Sequence, residues 1–364
     1  MRSRDVAVPS CNPFPKPRSS ELSASLKPVL ARVAGGETLS ENEAEEAFDV
    51  IMSGEATPAQ IAGLLMAMRV RGETVPELTG AVRAMRSRMI AVEAPADAVD
   101  IVGTGGDAAG TLNISTAAAI VVAACGVPVA KHGNKAQSSS SGTADAFAAM
   151  GVNLDVPVER LPQVLREVGL AFLLAPRHHA ALRHAAGPRV ELGTRTIFNL
   201  LGPLASPARV RRQMTGAFSA RWLRPMAETL ARLGSERAWL VHGQGLDELT
   251  VAGPSEVVEL RDGVLREFTV SPGDAGLPES PAETLRGGSP AHNAATLLAL
   301  LDGARSPYRD CVVLNAAAAL AVAGRSDDLR EAAAMASRAI DEGAARDVLD
   351  RLRRATMPVA EPHA

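Results

Sequence analysis

Two clusters of residues in this sequence have the types and spacing to hold an anion. The first is Gly103-Thr104-Gly105-Gly106-Asp107, followed by Thr111-Leu112-Asn113-Ile114-Ser115-Thr116. Glycines there allow positive φ and a close approach of backbone to ligand. Successive free N–H groups make an anion nest. Thr111, Asn113, Ser115 and Thr116 add hydroxyl and amide donors where a helix should begin, and its first N–H groups and dipole favour phosphate. The glycines alone fit a tight structural turn before an ordinary N-cap equally well. The second cluster is Lys131-His132-Gly133-Asn134-Lys135-Ala136-Gln137-Ser138-Ser139-Ser140-Ser141-Gly142-Thr143. Its lysines bring charge for phosphate, and its serines and N–H groups bring directional donors. A Ser-rich run is also the composition of a flexible linker, but a linker needs neither a strand before it nor a helix after it.

The glycine loop formally fits a dinucleotide fingerprint, Gly103-x-Gly105-x-x-Ala108. That fingerprint also wants an acidic residue about 20 positions on, to hold a ribose hydroxyl. No Asp or Glu occurs between Asp107 and Asp145, and Lys131 stands where the acid belongs. The nicotinamide reading fails on its own requirement. A Walker A loop fails too, because no Gly-Lys-Ser/Thr follows.

A third cluster could hold a metal. Asp247-Glu248 follows the apolar run 238–241. Mg²⁺ takes one or two carboxylates and completes its shell with water and phosphate oxygens, and Ser115 could add a hydroxyl. A solvated acidic turn has the same composition. His178, His179 and His184 lie near one another without HExxH spacing, and read as substrate-lobe or surface residues rather than metal ligands. Arg177, Arg183, Arg189, Arg195, Arg209, Arg211 and Arg212 concentrate positive charge locally, which suits an anionic small molecule or a solvated surface.

These residues need a scaffold. Residues 1–20 hold four prolines and no periodicity, and are expected to form a flexible tail. Ser40 with Glu43 and Thr74 with Glu77 are capping boxes, and Thr57-Pro58 is an N-cap before a first-turn proline. The segment 21–90 is therefore read as all-helical. From Ala98 the pattern changes: strand 99–102, helix 115–125, strand 127–130 and helix 144–150 describe a βαβ arrangement and a parallel sheet. Residues 160–200 read as helical, 216–218 and 238–241 as buried strands, and 291–355 as mostly helical. The expected fold class is α/β, a small helical lobe beside a larger domain with a mainly parallel central sheet.

Bulk properties bound the function. The 38 basic and 41 acidic residues give a net charge of −3, and aromatics are only 3%. No basic excess or stacking platform points to nucleic acid. No apolar run reaches the roughly 18 residues of a membrane span. Cys11, Cys125 and Cys311 are far apart, so no disulfide framework is expected and a reducing compartment, the cytoplasm, fits best. Arg2 and Arg4 without an apolar stretch do not read as a secretory signal.

Taken jointly, the motifs resemble the anthranilate phosphoribosyltransferase family. The matching stretches are Asp100-Ile101-Val102-Gly103-Thr104-Gly105-Gly106-Asp107, the 111–116 run, Lys131-His132-Gly133-Asn134 and Ser141-Gly142-Thr143-Ala144-Asp145. They continue with Glu191-Leu192-Gly193-Thr194-Arg195-Thr196-Ile197-Phe198-Asn199-Leu200-Leu201-Gly202-Pro203-Leu204, Gly245-Leu246-Asp247-Glu248 and Leu314-Asn315-Ala316-Ala317. The resemblance implies a helical domain at 21–92, completed by roughly 175–210, hinged to an α/β domain at 93–174 and 211–364. It also implies a homodimer through the helical domain. It implies that Gly103, Gly106, Asp107, Thr111, Asn113, Ile114, Ser115, Thr116, Lys131, Ser139 and Thr143 hold phosphoribosyl diphosphate. Ser115, Asp247 and Glu248 fall on positions for magnesium, two ions per protomer. Gly103, Asn134, Arg189, His132 and His179 fall on positions for anthranilate. Arg189 makes independent sense, because a guanidinium matches a carboxylate bidentately.

Some positions depart from the family pattern. Lys135 replaces the usual Arg, Gln137 a small apolar residue, and Val190 a second basic residue. The family's Tyr-His-Pro reads Arg177-His178-His179-Ala180, with His179 on the family His. The implied reaction is attack of the anthranilate amine on the anomeric carbon with loss of diphosphate, the second step of tryptophan biosynthesis from chorismate. Two rivals share the fold. A pyrimidine nucleoside phosphorylase has no evident use for Asp247-Glu248, and a nucleic-acid-binding homologue should carry a basic stripe.

Overall fold

The computed structural model describes residues 25–106, 109–136 and 141–358. Four helices come first: α1 Lys27–Ala34, α2 Glu41–Ser53, α3 Pro58–Arg71 and α4 Val75–Arg88. The capping boxes at Ser40 and Thr74 form, and Thr57 makes a third with Gln60. Glu77 does more than cap. It is fully buried and accepts from Leu39 N at 2.9 Å, Thr74 N at 2.9 Å and Arg71 Nη2 at 2.5 Å, so one paired carboxylate ties three segments together. Gly80 lets α4 lie directly on α2, since a Cβ there would sit 2.2 Å from the Glu41 carbonyl oxygen.

The sheet begins with β1 Val99–Gly103, α5 Ile114–Ala124, β2 Val129–Gly133, α6 Thr143–Ala149, α7 Leu161–Val168 and β3 Leu170–Leu174. The chain then makes α8 Ala175–His178, α9 Arg183–Leu192 and α10 Phe198–Leu204. It returns through β4 Arg212–Gly216, α11 Leu223–Arg232, β5 Arg237–His242, β6 Ser255–Arg261 and β7 Val264–Val270. Helices α12 Pro290–Leu301, α13 Pro307–Ala323, α14 Leu329–Asp341 and α15 Ala344–Thr356 follow. Among the described residues the sheet runs β3-β2-β1-β4-β5-β6-β7, with parallel pairing up to β5 and antiparallel pairing beyond. The chain leaves β1 toward β2 and resumes on the opposite side at β4. Such a switch point opens a crevice at the carboxyl ends of the strands.

Two buried cores flank this frame. One packs α5, α13, α14 and α15 together against β1–β5. The other joins α1–α4, α10 and α11 to Ala238, Leu240, Val258 and Leu260 of β5 and β6, so the helical lobe shares a core with part of the sheet.

The structure corrects three expectations. Residues 160–200 are not all helical, because Leu170–Leu174 is the edge strand β3. The strand expected at 216–218 instead ends at Gly216. The β6–β7 hairpin was not expected at all; it turns through Asp262 and Gly263, both at positive φ.

Candidate active site

Gly103 and Gly216 are register partners at the ends of β1 and β4, on either side of the switch point. Gly105 and Gly106 hold φ of +65° and +72°, as the nest requires, but Gly103 is absent from the positive-φ positions. Its role is space. A Cβ on Gly103 would lie 2.3 Å from Asp247 Oδ2, and one on Gly216 would lie 1.5 Å from the Asp247 carbonyl oxygen. The two glycines make the slot that receives Asp247, whose Oδ2 accepts from Gly105 N at 2.6 Å. Glu248 reaches the other half of the nest, where its Oε1 accepts from Ser115 N at 3.2 Å in the first turn of α5. The acidic pair therefore brackets the glycine loop and the helix N-terminus.

Asn113 precedes α5 and joins several segments. Its Nδ2 donates to Ser141 O at 3.2 Å, and its Oδ1 accepts from Ser141 Oγ at 3.2 Å and Asn293 Nδ2 at 3.0 Å. Its backbone oxygen accepts from Tyr308 at 3.1 Å. Thr111 pairs with Arg286 in an isolated bridge. Ile114 lines the cleft but its side chain is buried, and Ser115 and Thr143 line the cleft as expected. Thr116 is different: it is fully buried behind the lining, with its hydroxyl 3.4 Å from that of Thr143. Asp107, Gln137 and Ser139 lie outside the described residues. Asp145, given no role in the sequence reading, closes the second loop: its Oδ2 accepts from Ala136 N at 2.8 Å and Gly142 N at 2.9 Å.

Lys131 is buried in the middle of β2 and donates Nζ to the Ile101 carbonyl at 2.5 Å. Burial pushes the neighbouring Asp100 carboxyl up and the Lys131 ammonium down, and each charge opposes the shift of the other. Asp100 also accepts from His132 N at 3.0 Å. Asn134 lines the cleft and accepts Lys135 N on its own Oδ1 at 2.8 Å. The His132 and His179 rings lie 5.2 Å apart, both buried. Burial first, then the neighbouring histidines, holds His132 well below its usual range, and burial with His178 holds His179 down at about 4.

This has a consequence for stability. The unfolded state binds protons more readily at these rings, so their contribution is complete above the ordinary histidine pKa of about 6.5 and is lost as pH falls toward 4. For His179 the drop from 6.5 to about 4 corresponds to roughly 3 kcal/mol. Urea unfolding measured across this window should show stability falling with pH, with a shallower fall in His179→Gln.

Arg189, near the end of α9, also lines the cleft, with its guanidinium 5.1 Å from the Phe198 ring centroid. Arg195 stacks over Phe218 at 4.3 Å and donates to the Gly106 carbonyl, joining the α9–α10 connection to the glycine loop. The sequence marked it twice, in the arginine cluster and in the Glu191–Leu204 stretch, without assigning it this contact. One cleft of about 310 Å³ is lined by Met85, His132, His179, Arg189 and Phe198 together with Gly103–Gly106, Asn113, Lys131, Asp247 and Glu248. That combination can neutralise a polyanion at one end and pair with a carboxylate at the other.

Known proteins are similar to this chain in sequence and fold. The α/β-domain model of a glycosyl transferase family matches residues 95–346, and its helical-bundle-domain model matches 27–89. Anthranilate phosphoribosyltransferase of Rhodospirillum rubrum is 60% identical over 90% of this chain and 94% of its own length. The crystal structure of anthranilate phosphoribosyltransferase from Thermus thermophilus superposes with a TM-score of 0.86 at 44% identity, covering 90% of this chain and 98% of that one. The Saccharomyces cerevisiae anthranilate phosphoribosyltransferase in complex with PRPP and Mg gives 0.84 at 28% identity, covering 91% and 97%.

Proposed function

This chain belongs to the anthranilate phosphoribosyltransferase family, and from that premise we propose that its switch-point cleft transfers the 5-phosphoribosyl group of phosphoribosyl diphosphate to the anthranilate amine. The products are N-(5-phosphoribosyl)anthranilate and diphosphate, as in tryptophan biosynthesis. The observation that carries the reading is the bracketing of one anion nest by Asp247 and Glu248, with Arg189 lining the same cleft.

The nest N–H groups, Asn113, Ser115, Thr143 and the buried ammonium of Lys131 receive the phosphates. Thr116 supports them from behind. Asp107 and Ser139 complete the phosphoribosyl diphosphate site in this reading. The donor set suits magnesium: Asp247, Glu248 and the Ser115 hydroxyl offer only hard oxygen, and no group of three or more His, Cys, Asp or Glu gathers among the described residues. A cation with so few protein ligands completes its shell with water and phosphate oxygens. Magnesium, when bound, supplies charge neutralisation to the departing diphosphate. Arg189 pairs with the anthranilate carboxylate, while Asn134 and the neutral rings of His132 and His179 shape the acceptor wall. The aromatic amine is already a neutral nucleophile, so the residues need only orient it, and positioning is worth up to about 7–11 kcal/mol in favourable cases.

The reading extends to two magnesium ions per protomer, a cytoplasmic location and a homodimer through the helical lobe, where Val70 of α3 is 82% exposed. It also extends to closure of 25–92 with 175–210 against the rest of the chain. Among the described residues no helix is long and apolar enough to cross a membrane.

Steady-state turnover tests the acceptor assignment. Arg189→Ala should raise the anthranilate KM about 10- to 100-fold, the scale of a lost charged hydrogen-bonding partner, with the phosphoribosyl diphosphate KM little changed. Arg189→Lys should recover only part, because the bidentate fork is gone. An unchanged anthranilate KM in Arg189→Ala removes Arg189 from the acceptor site.

A further inference from the structure

We infer that Asn293, a buried residue of α12 outside the cleft lining, is a positioning residue that fixes which way the Asn113 amide faces. The inference rests on the reading of Asn113 as a contact to phosphoribosyl diphosphate.

The orientation follows from donors that cannot be reversed. Gly288 N donates to Asn293 Oδ1 at 2.8 Å. A backbone N–H can only donate, so the Asn293 oxygen must face it and the Asn293 nitrogen must face the other way. That nitrogen lies 3.0 Å from Asn113 Oδ1, so the facing atom of Asn113 must be oxygen. Ser141 Oγ, 3.2 Å from the same oxygen, agrees. The Asn113 nitrogen is thereby turned to the Ser141 carbonyl at 3.2 Å. One of its two hydrogens is used there, which leaves the second for a ligand in the cleft that Asn113 lines. The flipped amide would set nitrogen against nitrogen at Asn293 and oxygen against the Ser141 carbonyl, and would show the phosphates an acceptor.

The start of this relay is anchored to the loop it serves. Gly287 N donates to the Gly110 carbonyl at 2.8 Å, and Leu112 N donates to the Leu285 carbonyl at 2.9 Å. A Cβ on Gly287 would lie 2.5 Å from the Thr111 carbonyl oxygen. The segment before α12 therefore lies directly on residues 110–112, and the amide order is referenced to the backbone that carries Asn113.

The test is a double-mutant cycle read as KM and kcat for phosphoribosyl diphosphate with magnesium and saturating anthranilate. Asn293→Asp keeps the acceptor for Gly288 and removes the donor to Asn113. It should raise the phosphoribosyl diphosphate KM about 10-fold or more, the scale of one hydrogen bond to a charged group, with the anthranilate KM little changed. In an Asn113→Ala background the same change should have no further effect. If Asn293→Asp does not fold, Asn293→Ala carries the same test. Tyr308→Phe is the control: it removes a bond to the Asn113 backbone without reorienting the amide, so it should lower the melting temperature and spare KM. The inference is overturned if Asn293→Asp leaves KM unchanged, if its effect multiplies with that of Asn113→Ala, or if Tyr308→Phe raises KM equally. If Asn113→Ala itself leaves KM unchanged, the assignment of Asn113 to the donor substrate fails first, and the inference with it.

Discussion

Gly216→Ala should lower kcat/KM by about 100-fold or more, the scale of a misplacement near 1 Å at a catalytic group, while the protein remains folded. The added Cβ would sit 1.5 Å from the Asp247 carbonyl oxygen and 2.3 Å from its carbonyl carbon. Both are backbone atoms, so no rotamer change relieves the contact. The loop after β5 must move, and the carboxylate on Gly105 N moves with it. Overpacking of this kind costs roughly 1–3 kcal/mol, which lowers the melting temperature without unfolding a chain with two extensive cores. Gly103→Ala should lower turnover in the same way, since its Cβ meets Asp247 Oδ2 at 2.3 Å and displaces the carboxylate directly, but at a smaller cost in melting temperature, because a side-chain oxygen can swing away. Kinetics and thermal melts on both variants check this. Wild-type turnover in Gly216→Ala would show that the position of Asp247 does not matter.

The second large effect belongs to Asp247→Asn with Glu248→Gln. The neutral side chains keep an acceptor oxygen for Gly105 N and Ser115 N, so the fold should tolerate them. What disappears is negative charge, and with it the hold on a divalent cation. Turnover at limiting magnesium should fall by about 1000-fold, comparable to removing a preorganised charge-stabilising group, and raised magnesium should restore part of it. Titrating magnesium against rate in both proteins measures the shift. Unchanged turnover at limiting magnesium would sink the metal assignment.

Much of this site was legible in the sequence, for identifiable reasons. A glycine loop between a strand and a helix, a lysine where a ribose-binding acid should stand, and adjacent carboxylates after a strand are local patterns. The structure brings 103–106, 131–134 and 247–248 to one cleft. The reason for Gly103 is only half legible in the sequence. Local rules suggest positive φ, but the true constraint is Asp247, which approaches from far along the chain. Asn293 and Asp145 act through contacts no local pattern encodes. Strand β3 is not distinguishable from helix in the sequence, because Leu170-Ala171-Phe172-Leu173-Leu174 is a short apolar run and periodicity cannot separate strand from helix over that length. The β6–β7 hairpin did carry a signal, Asp262-Gly263 between alternating apolar residues, the usual mark of a tight hairpin turn.

The central claim is that one cleft joins a magnesium-bound diphosphate donor to an aromatic amine. The direct measurement mixes the protein with anthranilate, phosphoribosyl diphosphate and Mg²⁺ and follows free anthranilate and released diphosphate together, with parallel reactions of thymidine or uridine and phosphate. The expected result is equimolar loss of anthranilate and gain of diphosphate, abolished by chelating the metal, with the nucleosides untouched. Inert anthranilate beside phosphate-dependent cleavage of thymidine or uridine would contradict it and assign the cleft to nucleoside phosphorolysis.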